Sequence, residues 1–165
     1  MGLRMRLYPA PDPDLGAFSI APQTLKAWLR YARSRPEVSL RESWRELDAI
    51  LGATDPAPSA SPLTPRGATW NFPGASERGA FALSSKATAQ LREAIDRVTR
   101  TQVEAQVRRR WMVEAMNAGA ASERDAAELT AAADELLQYL RLLRETCAFA
   151  ETKGYGLLME LSEDT

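Results

Sequence analysis

Apolar and polar positions change period along this chain, and the changes mark out its elements. Leu3, Met5 and Leu7 alternate with Arg4, Arg6 and Tyr8, the period of a half-buried strand. Pro9, Pro11 and Pro13 follow. Proline cannot donate to a ladder, so residues 9–16 are expected to be a loop. Phe18 and Ile20 suggest a short extended piece before Pro22. Pro22 suits a first helical turn. A helix to Arg33 would put Leu25, Trp28, Leu29 and Ala32 on one face, and Pro36 would break it.

Ser39-Leu40-Arg41-Glu42 matches a capping box, and Trp44, Leu47, Ile50 and Leu51 then recur at helical spacing. A helix over 39–51 is expected, with Gly52 just past its end. Residues 53–67 (ATDPAPSASPLTPRG) are too rich in Pro, Ala and small polar residues to build a core, which predicts a flexible insertion. Residues 68–72, with Trp70 and Phe72, and residues 79–83, with Phe81 and Leu83, are short strand candidates around a Pro73-Gly74 turn. Ser84 or Ser85 would cap a helix over 86–98, with Leu91, Ala94, Ile95 and Val98 inward. Thr101-Gln102-Val103-Glu104 would cap another, running to Met116, with Asn117 and Gly119 as stops.

The longest element starts near Ser122. Leu129, Ala133, Leu136, Leu140, Leu143, Cys147 and Ala150 step by four and three in turn, a heptad seam carried towards Lys153 and closed by Gly154. Tyr155, Leu157, Met159 and Leu161 then alternate with Gly156, Leu158 and Glu160 as a last strand, and Ser162–Thr165 would be a frayed tail. Strands near both ends with helices between them predict one α+β domain over residues 1–165. Its small sheet would include both terminal strands, helices would pack on it, and a long helix would precede the last strand.

Composition narrows the chemistry. The chain has 165 residues, one Cys and no His. Lacking imidazole, it cannot form Ser-His-Asp or Cys-His sites, HExxH zinc sites or His-ligated haem. Its net charge of −1 leaves no footprint for nucleic acid. No apolar run approaches the ~18 residues a membrane helix needs, and no secretory h-region follows Met1. A lone Cys147 adds to the expectation of a reducing cytoplasm. GxGxxG, P-loop, GxSxG and calcium-loop patterns are absent, so no cofactor and no metal are expected.

A few residues remain as candidates. Arg108, Arg109 and Arg110 fan over about 200° of helix, so they cannot share one ligand. Val103, Val107 and Trp111 would be the buried stripe, leaving Arg109 for an anionic or carboxylate-rich partner. Trp28, Trp44 and Trp111 fall on core faces, which leaves Trp70 as the aromatic best placed for recognition. Arg78 stands beside its strand pair. Trp70, Arg78 and Arg109 are thus the candidate partner- or ligand-binding residues. Glu42, Glu46 and Asp48 share one helix and Asp134 and Glu135 another, all expected to face solvent. Cys147, on the seam, reads as a small buried hydrophobe.

The order of motifs resembles the YfbM-like family of bacterial proteins, a domain of unknown function. The resemblance rests on Ser39-Leu40, Ser43-Trp44, Leu47, Ile50-Leu51-Gly52, the Gly79–Ser84 junction, Leu136, Tyr139-Leu140, Leu143-Arg144, and the Lys153-Gly154 end before Gly156–Leu161. It spans nearly the whole chain except 53–67. It implies a single-domain cytoplasmic α+β fold with no activity, cofactor or catalytic residue to carry over. Relatives often carry His where this chain has Arg45 and Asp48. The function expected is binding without catalysis, to a protein partner of immunity or regulatory type, as a monomer or weak homodimer. The alternative is a small-anion-binding domain or a His-independent enzyme using Arg78 or Arg109 with Trp70.

Overall fold

The computed structural model describes residues 2–35, 38–54, 61–75, 78–119 and 124–163. Strand β1 (Leu3–Pro11) leads into helices α1 (Asp12–Ile20) and α2 (Pro22–Ala32). Strand β2 (Ser39–Arg41) and helix α3 (Trp44–Gly52) follow, then a 3-10 turn at Pro65–Gly67. Strands β3 (Trp70–Phe72) and β4 (Ala80–Leu83) precede helices α4 (Ser85–Asp96), α5 (Arg100–Ala118) and α6 (Ala126–Lys153), and strand β5 (Tyr155–Glu163) comes last. The fold is α+β, with a five-stranded antiparallel sheet in the order β2-β1-β5-β4-β3.

The two terminal strands pair along their whole length, from Leu3 opposite Glu163 to Pro11 opposite Tyr155. Alternation sends Met5, Leu7, Phe81, Leu83, Leu157 and Met159 to one face, where they meet the buried faces of α3, α4, α5 and α6. Ala10, Phe72, Ala80, Ala82 and Leu158 go to the other, against α1 and α2. The seam on α6 is buried from Ala133 to Ala150 and only partly so at Leu129, and Gly154, at φ +66°, ends that helix in the left-handed conformation.

The expected loop over 9–16 is overturned. β1 runs through Pro9 and Pro11, and Asp12–Ile20 is helical, so Phe18 and Ile20 are not extended. Leu7 N–H donates to the Val38 carbonyl at 2.9 Å, on the β2 side of β1. Pro9 and Pro11 share that parity and face past the end of β2, whose pairing stops at Met5 and Arg6. Tyr8 and Ala10 keep their donors for β5. Pro13 lies in the first turn of α1, where a missing N–H costs nothing.

The helix over 39–51 starts late. Ser39–Arg41 is strand, because Arg41 and Ser39 pair with Met5 and Arg6. The Ser39 hydroxyl donates to the Met5 carbonyl at 3.1 Å instead of capping a helix. Helix α3 begins at Trp44, whose indole N–H donates to the Leu3 carbonyl at 3.0 Å. Gly52 is its last residue rather than the one beyond. The Thr101–Glu104 box is corrected to Thr99 with Gln102, each satisfying the other's backbone donor at the start of α5.

Part of the expected insertion is built in. Leu63 is fully buried in the larger core and its N–H donates to the Asp48 carboxylate at 3.1 Å. Residues 55–60, the Pro36 break and the Ser122-Glu123 start lie outside the described residues. Asp125 caps α6, accepting from Glu128 N–H at 2.8 Å. Ser162 and Glu163 belong to β5 rather than to a frayed tail.

Candidate functional site

The structure does not bring the three candidate residues together. Trp70 is half-buried on β3, packed with the aromatic cluster under α1 and α2. There Trp28 meets Tyr8 and Phe18, each with ring centroids 5.7 Å apart. Arg78 is exposed and ion-paired with Glu163 at the end of β5. Arg109 is exposed on α5, which packs on the other side of the sheet.

Helix α5 has two faces with different fates. Val103, Val107 and Trp111 step by four and are buried. Arg110 anchors the helix through Glu46 at 2.6 Å, and Arg100 through Asp134 at 2.8 Å. The opposite side carries Arg109, Met112, Val113 and Met116, spaced i, i+3, i+4, i+7. Met112 is 63% exposed, Val113 51% and Met116 75%. Beside this stripe an open groove of about 530 Å³ runs between α5 and α6, lined by Arg108, Trp111, Met112, Arg124 and Leu129 among others. The Arg124 guanidinium covers the Trp111 ring at 5.1 Å. Among the described residues, neither Arg108 nor Arg109 has an ion pair. The apolar stripe sits inside a helix that the Arg run and Trp111 already mark. Its signal is a second set of 3.6-period positions, opposite the buried one.

A second cluster lies on the α2 side of the sheet, where nothing in the local pattern marks it. Glu160 on β5 is wholly buried. Its neighbour across the strands is Arg6, whose guanidinium lies 3.9 Å away. Arg33, just past the end of α2, pairs with Glu160 directly. The Tyr8 hydroxyl donates to Glu160 Oε1 at 3.2 Å. Burial, and then the charge of Glu160, push the Tyr8 phenol up to about 12. The bond to Glu160 holds Arg33 above its ordinary range. Sliding the two terminal strands past each other in sequence puts Arg6 opposite Glu160, the one available signal.

The other titratable candidates are engaged elsewhere. The Cys147 thiol is buried in the seam, and burial, with Glu151 nearby, pushes it up to about 12. Burial raises Asp48 while the Leu63 N–H opposes that shift. Asp12 accepts from both the N–H and the hydroxyl of Ser85, at 2.9 and 2.7 Å, and so pins the start of α4. Among the described residues, no three His, Cys, Asp or Glu side chains converge as a metal site, and no helix is long and apolar enough to cross a membrane. No family model, curated protein or solved structure matches this chain.

Proposed function

We propose that this chain is a non-catalytic binding domain that engages another protein through the outer face of α5. The observation that carries the reading is the stripe Met112, Val113 and Met116, three neighbouring apolar side chains in solvent. Singly scattered apolar residues need no explanation, whereas a contiguous patch marks an interaction site. Methionine is flexible and polarizable, which suits a face that must mould to a partner. Arg108 and Arg109 flank the stripe, so an amphipathic partner helix with carboxylates beside its apolar edge would meet both features. A domain that silences its partner by covering it, of immunity or regulatory type, is the concrete form.

The buried, protonated Cys147 supports the non-catalytic side of this reading, as does a chain without histidine. We likewise infer a bacterial, cytoplasmic setting and kinship with the YfbM-like proteins, on the motifs that run from Ser39 to Leu161.

The test is the double substitution Met112→Glu, Met116→Glu, used beside the wild type as bait in extracts of the source cells. Both side chains are exposed, so unfolding free energy should stay within about 0.5 kcal/mol of wild type. A co-purifying protein should be lost with the double variant. Retention of the same proteins by the variant contradicts the reading. So does a sharp fall in its stability, which would mean the stripe packs within the chain. Sedimentation of the wild type alone separates a second copy from a different partner.

A further inference from the structure

We propose that two adjoining hollows beside α2 form a binding site for a small aromatic carboxylate, with the acid held by Arg33 and Arg35 and the ring among Trp28, Tyr31 and Val38. The site lies beside α2, along β1 past the end of β2, and shares no lining residue with the groove beside α5; it is independent of the protein-binding surface. The hollows share Tyr8, Ala32 and Arg35. The smaller one adds Arg6 and Arg33 and holds about 50 Å³. The larger one adds Pro9, Trp28, Tyr31 and Val38, among others, and holds about 140 Å³.

Charge decides what the smaller hollow takes. Glu160 is already bonded to Arg33 and Tyr8 and lies wholly buried. Arg33 keeps 40% of its side chain open to solvent above it. Arg35 pairs with no carboxylate among the described residues. Its guanidinium lies over the Tyr31 ring, 4.9 Å from the centroid, and donates to the Tyr31 hydroxyl at 2.9 Å. These two contacts hold the guanidinium against the ring and leave it further donors for an anion.

Volume decides the rest. A water in the liquid occupies ~30 Å³, so about 50 Å³ has room for a carboxylate and little more. A cavity of ~150 Å³ is known to accept benzene, so about 140 Å³ suits one aromatic ring. Both lie well below the ~300 Å³ at which drug-sized ligands begin, which removes nucleotides from consideration. The hollows share the lining residues Tyr8, Ala32 and Arg35, so a ligand that fills both carries its acid close to its ring.

Phenylacetate is the probe, with benzyl alcohol and acetate as controls that lack the charge or the ring. The full chain is titrated while backbone amide signals are followed by NMR. A dissociation constant of about 1 mM is expected for a ligand of about ten non-hydrogen atoms. The amides of Tyr31, Arg33, Arg35 and Val38 should shift in a saturable way, and each control should bind at least about tenfold more weakly. Arg35→Gln and Tyr31→Ala alter exposed side chains, should melt like wild type, and should each weaken phenylacetate about tenfold. The proposal is overturned if no saturable shift appears by about 20 mM. It is equally overturned if benzyl alcohol binds as well as phenylacetate, or if a folded Arg35→Gln binds it unchanged.

Discussion

Replacing Glu160 by Gln removes one charge from the middle of the sheet and keeps the shape. At an effective dielectric near 20, a unit pair about 4 Å apart is worth about 4 kcal/mol. Glu160 has one such neighbour in Arg6, at 3.9 Å, and a closer one in Arg33. Removing one partner of a fully buried pair costs about 3–5 kcal/mol. Here the arginine side chains stay 24% and 40% exposed, so water compensates them in part. The Gln amide oxygen can still accept from Arg33 or Tyr8, while its NH₂ faces a guanidinium. A net loss of about 2 kcal/mol follows. For a chain of 165 residues, that lowers the melting temperature by about 6 °C. Urea unfolding and calorimetry at pH 7 measure it. A cycle with Arg33→Gln should return a coupling of at least about 1 kcal/mol. A Glu160→Gln protein melting within about 1 °C of wild type would refute the reasoning.

Three further outcomes follow from the same contacts. Asp12→Ala strips two bonds from Ser85 at the start of α4 and should cost about 1–2 kcal/mol in urea unfolding, with Asp12→Asn recovering part. Leu63→Ala should cost about 3 kcal/mol, because Leu63 fills the larger core; a loss under about 0.5 kcal/mol would return 61–67 to a mere surface loop. The Tyr8 phenol is raised from 10.0 to about 12 in the fold, so the folded chain holds that proton more tightly than the unfolded one. Stability linked to Tyr8 is therefore full below its unfolded value and is lost as pH rises through about 12. Absorbance titration should show one late phenol that disappears in Tyr8→Phe.

The long-range frame was legible because it is written in period. Alternation at Leu3–Leu7 and Tyr155–Leu161, and the four-three steps from Leu129 to Ala150, each specify a face. The misreadings share a different cause. Whether Pro9 and Pro11 break β1 depends on which side their missing donors face, and that depends on how far β2 reaches. Ser39–Glu42 carries a local helix-start signal, yet Ser39–Arg41 pairs with β1, so tertiary contact overrides it. Leu63 is one apolar residue in a Pro- and Ser-rich stretch, and only the fold shows the gap it fills.

The candidate site was less legible still. Arg109 was visible as a free cation, but its companions Met112, Val113 and Met116 look like ordinary helix interior until the buried side of α5 is known. Trp70 and Arg78 are spent on packing and on Glu163. The meeting of arginine, aromatic ring and carboxylate occurs instead at Arg33, Tyr8 and Glu160, which come from the end of α2, from β1 and from β5.

The outer face of α5 is tested most directly by a photo-crosslinking side chain at position 113. It is introduced in the source cells, with a control at Phe149, an exposed position on α6. A discrete crosslinked species is expected from position 113, absent from position 149 and lost with Met112→Glu, Met116→Glu. Equal labelling from both positions, or none from position 113, would contradict it.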